Sequence, residues 1–213
     1  AAKYGVTYIL SGGNFATEGI LPKYWHYNAK DLTYFKYICA NFGKIQLKTF
    51  PTFGFLRETY YKVFKGIQMI YFLNYLPFDK TESIELLEEK LDWKAYGGKH
   101  YESKYTGFIQ SYYLYNKFNI DYRRATLSSQ ICAGTIQRDE ALDMLKNKPY
   151  VEDRISVEMK YIAKKLDFSD EKFNALLMDE PHWYTRFPND EKRLNWIYNW
   201  YRKLFKKEKL ASF

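Results

Sequence analysis

The order of its apolar runs constrains this chain more than any other feature. Val6–Leu10 is a short β-rich run that ends at once in Ser11-Gly12-Gly13-Asn14, the pattern of a buried strand entering a tight loop. Leu32, Phe35, Ile38, Cys39 and Phe42 then recur at helical spacing behind Asn28 and Asp31, with Gly43 as a stop. A second amphipathic stretch follows from Leu56 to Phe64. Past Gly66, Met69-Ile70-Tyr71-Phe72-Leu73 within Ile67–Leu76 reads as an interior strand. Strand, helix and strand imply a parallel crossover, so the chain opens as an α/β protein with both strands in one sheet.

The pattern then changes. Asp79 and Glu82 have capping-box spacing ahead of Ile84, Leu87 and Leu91. After the Gly97-Gly98 pair the spacing is helical almost to the end, with Ser169 before Asp170 and Glu171 as one cap, and Pro181 and Pro188 around a loop. No strand signal follows residue 96, which divides the chain into an α/β part, 1–95, and a helical part, 96–213. The last helix carries Leu194, Ile197, Tyr201, Leu204 and Phe205 on one side and Arg202, Lys203, Lys206, Lys207 and Lys209 near its end. Such a helix can lie on a membrane surface or bind RNA. Ordinary packing, with the lysines at the negative end of the helix dipole, is the preferred account.

At 213 residues the chain can bury a sizeable core without covalent staples. Its two cysteines, Cys39 and Cys132, form no CxxC pair or Cys/His cluster and read as free buried thiols. With no apolar segment long enough to span a bilayer, this usage points to a reducing, cytoplasmic setting. The formal charge of +8 and the pI near 9.2 suggest an anionic partner, whether nucleotide, sugar nucleotide, nucleic acid or acidic membrane. Most of the 22 tyrosines are assigned to packing between aromatic helix faces.

Three stretches carry candidate chemistry. Ser11–Glu18 follows a strand, at the end of a parallel sheet where ligands bind. There Gly12 and Gly13 would let backbone amides approach an anion, and Asn14 or Glu18 could recognise ribose, base or metal. A strand-ending turn is the alternative. Tyr96–Lys104 gathers Lys99, His100, Glu102, Ser103 and Lys104 after a glycine pair, with no apolar period to explain them. Lys99 and Lys104 suit phosphate, and His100 and Glu102 could move protons or orient ammonia; a solvated charged turn is the rival. In the third stretch, Arg123 and Arg124 stand near one helix start and Arg138 at the next. They could fork onto phosphate or carboxylate, or pair internally with Asp121 or Glu140, two accounts of equal weight.

Taken in order, YGVTYILSGGNFATEGILPKYWHYNAKD, LNYLPF and WKAYGGKHYESKYTGFIQSYYLYNKFNIDYRRATLSSQICAGTIQRDEAL resemble the N-acetyl sugar amidotransferases of bacterial surface polysaccharide (lipopolysaccharide) synthesis. The resemblance covers roughly residues 1–146, and KHYES and DYRRATLSSQICAG are its most specific parts; the last third reads as generic helix. It implies a remnant of a parallel-sheet, adenine nucleotide α-hydrolase-like nucleotide-binding domain followed by an all-helical region. It further implies an ATP- and Mg²⁺-dependent transferase of the ATP-pyrophosphatase superfamily that turns an acetamido group of a nucleotide-linked sugar into an acetamidino group. The route would be an adenylated imidate displaced by ammonia from a separate glutaminase subunit. Gly12, Gly13, Asn14 and Glu18 would lie on the nucleotide side. Lys99, His100 and Glu102 would be catalytic, with Ser103, Lys104, Arg123, Arg124 and Arg138 toward substrate or phosphate. The SGG here is not the superfamily's SGGxDS loop, since Phe15 stands in place of its Asp and Ala16 in place of its Ser. That loop and a cysteine-rich, zinc-binding segment would precede residue 1. The expectation is therefore a portion of a longer enzyme that does not release pyrophosphate from ATP alone. A tRNA-modifying or RNA-binding module is the alternative from another class, and a non-catalytic remnant a third.

Overall fold

The computed structural model describes residues 1–18, 21–76, 79–94 and 103–205. Along the chain come β1 (Tyr8–Ser11), α1 (Phe15–Glu18), α2 (Leu32–Phe42), α3 (Phe55–Val63), β2 (Gln68–Tyr71) and α4 (Lys80–Leu91). They are followed by α5 (Lys104–Phe108), α6 (Leu114–Phe118), α7 (Tyr122–Cys132), α8 (Arg138–Met144), α9 (Glu152–Lys165), α10 (Asp170–Met178) and α11 (Glu191–Phe205). The two strands form one small parallel sheet, and the Gln68 amide donates to the Thr7 carbonyl at 2.8 Å. The expected pairing is therefore present, but neither strand is buried as expected: Tyr8 and Leu10 on β1 and Met69 on β2 are exposed, because a sheet of two strands has no neighbouring strand to flank either one. β2 is shorter than its apolar run because the backbone leaves extended geometry at Tyr71 and tightens into a 3₁₀ turn over Phe72–Tyr75. Among the described residues after 103 every regular element is helical.

Contacts divide the chain into two compact units that interleave in sequence: Ala1–Ser11, Pro22–Ile70 and His182–Phe213 in the first, Gly12–Leu21 and Tyr71–Pro181 in the second. This is a different partition from a single cut near residue 95.

In the first unit Asp31, rather than Asn28, caps α2: its Oδ1 accepts from the Tyr34 amide at 2.9 Å, while its Oδ2 accepts from the Asp190 amide at 2.7 Å. Asp31 is buried, as a carboxylate so fully engaged with backbone donors can be. Phe187 meets Tyr34, Tyr37 and Phe42 at ring separations of 6.0–6.3 Å, and Phe55 meets Tyr198 edge-on at 5.6 Å. Burial and a hydrogen bond to Glu191 push the Tyr184 phenol up to about 12.

Glu58 on α3 accepts from Lys62 at 2.6 Å and Lys30 at 2.9 Å. Burial alone would raise its pKa, but the two ammonium groups outweigh that and hold it below the ordinary 4.5. A depressed carboxyl stabilises the fold above its unfolded value, and the contribution disappears as pH falls through the folded one. Glu58→Gln is accordingly expected to flatten the loss of stability below pH 4.5, read as the urea midpoint against pH. Identical slopes for the two proteins would remove Glu58 from the account.

The second unit is built on Phe108, Ile162, Ala163 and Phe173, with Tyr112, Tyr113, Ile155 and Met159 packed around them. Helix α5 runs without a break through a π-helical segment, Ile109–Tyr113, into α6. The Ser111 hydroxyl, buried there, donates to the Gly107 carbonyl at 2.7 Å. Ser169 caps α10 as expected, its Oγ accepting from the Lys172 amide at 3.3 Å. One expectation is corrected. Both cysteines are free, but Cys39 is only partly buried and Cys132 is exposed, because α7 buries its Ala125 and Leu127 face and Cys132 is its last residue. No helix among the described residues is long and apolar enough to cross a membrane.

Candidate functional site

The loop after β1 is held by backbone contacts that its sequence makes available. Asn14 is buried, and its carbonyl accepts the Glu18 amide at 3.1 Å, closing the single turn of α1. The Phe15 amide donates to Asn74 Oδ1 at 2.9 Å. Asn74 lies in the turn that leaves β2, so one side-chain amide ties together the loops at the carboxyl ends of both parallel strands. That is where an open α/β sheet presents ligand-binding backbone. Asn74 was not singled out from the sequence. The available signal was an asparagine directly after a strand, within LNYLPF.

Gly12 is exposed and avoids left-handed geometry, and a Cβ built on it would meet nothing within 4 Å. Neither crowding nor backbone angle in the chain itself requires glycine there. The loop therefore has room for an approaching ligand at that point. Glu18, at the end of α1, is exposed.

Helix α1 packs against α7, which brings Phe15–Glu18 beside the helix that carries Arg123 and Arg124. Asp121 caps α7, Oδ1 accepting from the Arg123 amide at 3.0 Å. Of the two accounts of Arg123, the internal ion pair is the one observed. Its Nε lies 3.0 and 3.2 Å from the Asp121 oxygens, and Nη2 lies 2.7 Å from Oδ2. The guanidinium also donates to the Met144 carbonyl at 3.1 Å and the Asn147 carbonyl at 2.9 Å. Arg123 thus clasps the end of α8, where carbonyls lack helical partners and the dipole favours a cation. Arg124, one position on, is exposed, and its backbone carbonyl accepts the Ser128 hydroxyl at 2.6 Å.

The remaining candidates sit on other elements of the same unit. Ser103 caps α5, with its Oγ accepting from the Thr106 amide at 3.3 Å. Lys104 places its ammonium 4.9 Å from the centre of the Tyr161 ring on α9. Arg138 is the exposed first residue of α8. Lys99, His100 and Glu102 lie outside the described residues.

Among the described residues no group of three or more His, Cys, Asp or Glu side chains could hold a metal ion. The open space beside Gly12 leaves its backbone accessible to an anion.

No curated protein and no solved structure matches the chain. Residues 102–204, however, match the family described as LPS biosynthesis protein WbpG-like, C-terminal domain. That span includes the last third, which reads from sequence as generic helix. From α5 into α11 the chain thus matches a WbpG-like C-terminal domain, in accord with its resemblance to the N-acetyl sugar amidotransferases.

Proposed function

We propose that this chain serves an ATP-dependent amidotransferase that converts the acetamido group of a nucleotide-linked sugar into an acetamidino group. ATP would adenylate the amide oxygen with loss of pyrophosphate. Ammonia, supplied by a glutaminase subunit, would then add to the imidate carbon and expel AMP with that oxygen. The match of residues 102–204 to a family of LPS biosynthesis proteins supports the substrate class. The observation that carries the reading is the packing of α1 on α7, with Asn74 bound to the Phe15 amide. Three of the stretches on which the resemblance rests, far apart in sequence, are neighbours.

In this reading the amides of Gly12 and Gly13 approach the nucleotide, and Asn14 and Glu18 shape its pocket. Ser103, Lys104, Arg124 and Arg138 face substrate or phosphate. Arg123 positions α7 and α8. Lys99, His100 and Glu102 handle the transferring groups, where developing negative charge is stabilised by fixed cations and donors.

Gly12→Ala separates a ligand loop from a mere turn. A methyl at this open position should leave stability within about 0.5 kcal/mol of the parent, as for surface substitutions away from special features. Affinity for ATP or the nucleotide sugar should fall roughly tenfold, about the worth of one hydrogen bond. Calorimetric titration beside urea melts reads both. Unchanged affinity would reduce SGGN to a strand-ending turn.

A further inference from the structure

Helix α11 has two apolar faces, and only one is used by the fold. Leu194 is buried, and Ile197 and Tyr198 are partly buried beside it, so packing accounts for that side. Trp196 and Trp200 lie one turn apart on the opposite side, 67% and 56% exposed. By helical geometry Lys192, Arg193 and Lys203 share this outward side. All three are exposed. From Lys192 to Phe205 the sequence contains no acidic residue, and Glu191, just before, accepts a hydrogen bond from Tyr184. Beyond it the sequence adds Lys206, Lys207 and Lys209, with Glu208 among them.

We infer that the outward face of α11 is a docking surface for an anionic lipid membrane. Tryptophan is the side chain best suited to the headgroup layer, with an apolar body and one polar N–H. Two of them in line along a helix can enter one plane together. The lysines at either end of the line keep their charges among phosphates while their stems lie against the surface. The positive charge of Lys192, Arg193 and Lys203 complements an anionic bilayer, and each basic residue close to it adds to the attraction. RNA would also welcome cations and rings. The collinear placement, with a basic residue before and after the tryptophans, suits a flat charged plane better than the successive ring platforms that splayed bases use. The mode is adsorption, independent of the sugar chemistry proposed above.

The test uses the whole 213-residue chain and vesicles of phosphatidylcholine with or without phosphatidylglycerol. The parent should sediment with the phosphatidylglycerol vesicles alone, release as salt is raised, and show a blue shift of tryptophan emission on binding. Trp196→Ala/Trp200→Ala should lower the partition by about tenfold or more while leaving the thermal melt unchanged. Lys192→Glu/Lys203→Glu, which leaves every ring in place, should do likewise. The proposal is overturned if the parent ignores anionic vesicles, or if both double variants bind them as the parent does. Retention on single-stranded RNA without vesicle binding would overturn it in favour of a nucleic-acid surface.

Discussion

Arg123→Ala is expected to lower the unfolding free energy by about 2–4 kcal/mol, the larger of the stability effects foreseen for this chain. The side chain is largely removed from solvent, and Asp121 beneath it is buried. Truncation leaves that carboxylate without its cation and frees the Met144 and Asn147 carbonyls at the end of α8. Breaking one partner of such a pair costs more than the pair contributes, because the other charge stays in place unpaired. Arg123→Lys should recover little, since an ammonium cannot span a carboxylate and two carbonyls as a planar fork does. Arg124→Ala is the control: exposed, it should leave the melt almost unchanged while weakening phosphate binding. Urea denaturation of the three variants beside the parent decides the matter. If Arg123→Ala melts with the parent but loses nucleotide affinity, its role is ligand binding and the clasp is incidental.

The second large effect concerns chemistry. In an assay of pyrophosphate release with ATP, a nucleotide-linked acetamido sugar and ammonia, applied to the amidotransferase proposed above, Lys99→Ala and Glu102→Gln should each lower the rate by about two orders of magnitude or more. That is the scale for losing one transition-state partner. Mass spectrometry of the sugar checks that the released pyrophosphate reports the acetamidino product. A parental rate for Glu102→Gln would make KHYES a scaffold. Pyrophosphate release without change in the sugar would move the adenylated group elsewhere and sink the assigned reaction.

What could be read in the sequence was local. Asp31, Asp121 and Ser169 cap helices because each precedes an apolar period and offers an oxygen to an amide two or three residues on. Both strands lie close to their expected positions because short β-rich runs ended by turn residues have few other uses. The misses are long-range. Nothing near Arg123 in sequence announces that its guanidinium reaches carbonyls 21 and 24 residues away. The packing of α1 on α7 is equally silent, because a four-residue helix has no period to read. Cys132 looked apolar by its neighbours, yet burial depends on which face a helix turns inward, and α7 turns Ala125 and Leu127. The pairing of Asn74 with the Phe15 amide could be guessed only after the two strands were known to be adjacent.

The interleaving of the two units sets an order for biosynthesis. Everything the second unit needs has left the ribosome once Pro181 has emerged, whereas the first still waits for the segment from His182 onward. The Asp31 carboxylate cannot receive the Asp190 amide, nor Tyr34 the Phe187 ring, until the segment from His182 onward has been made. The segment holding Gly12 can thus settle against α7 while the residues on both sides of it are still waiting for their partners. A nascent chain held with Pro181 just outside the ribosome should already protect the second unit from protease and leave 22–70 open to cleavage.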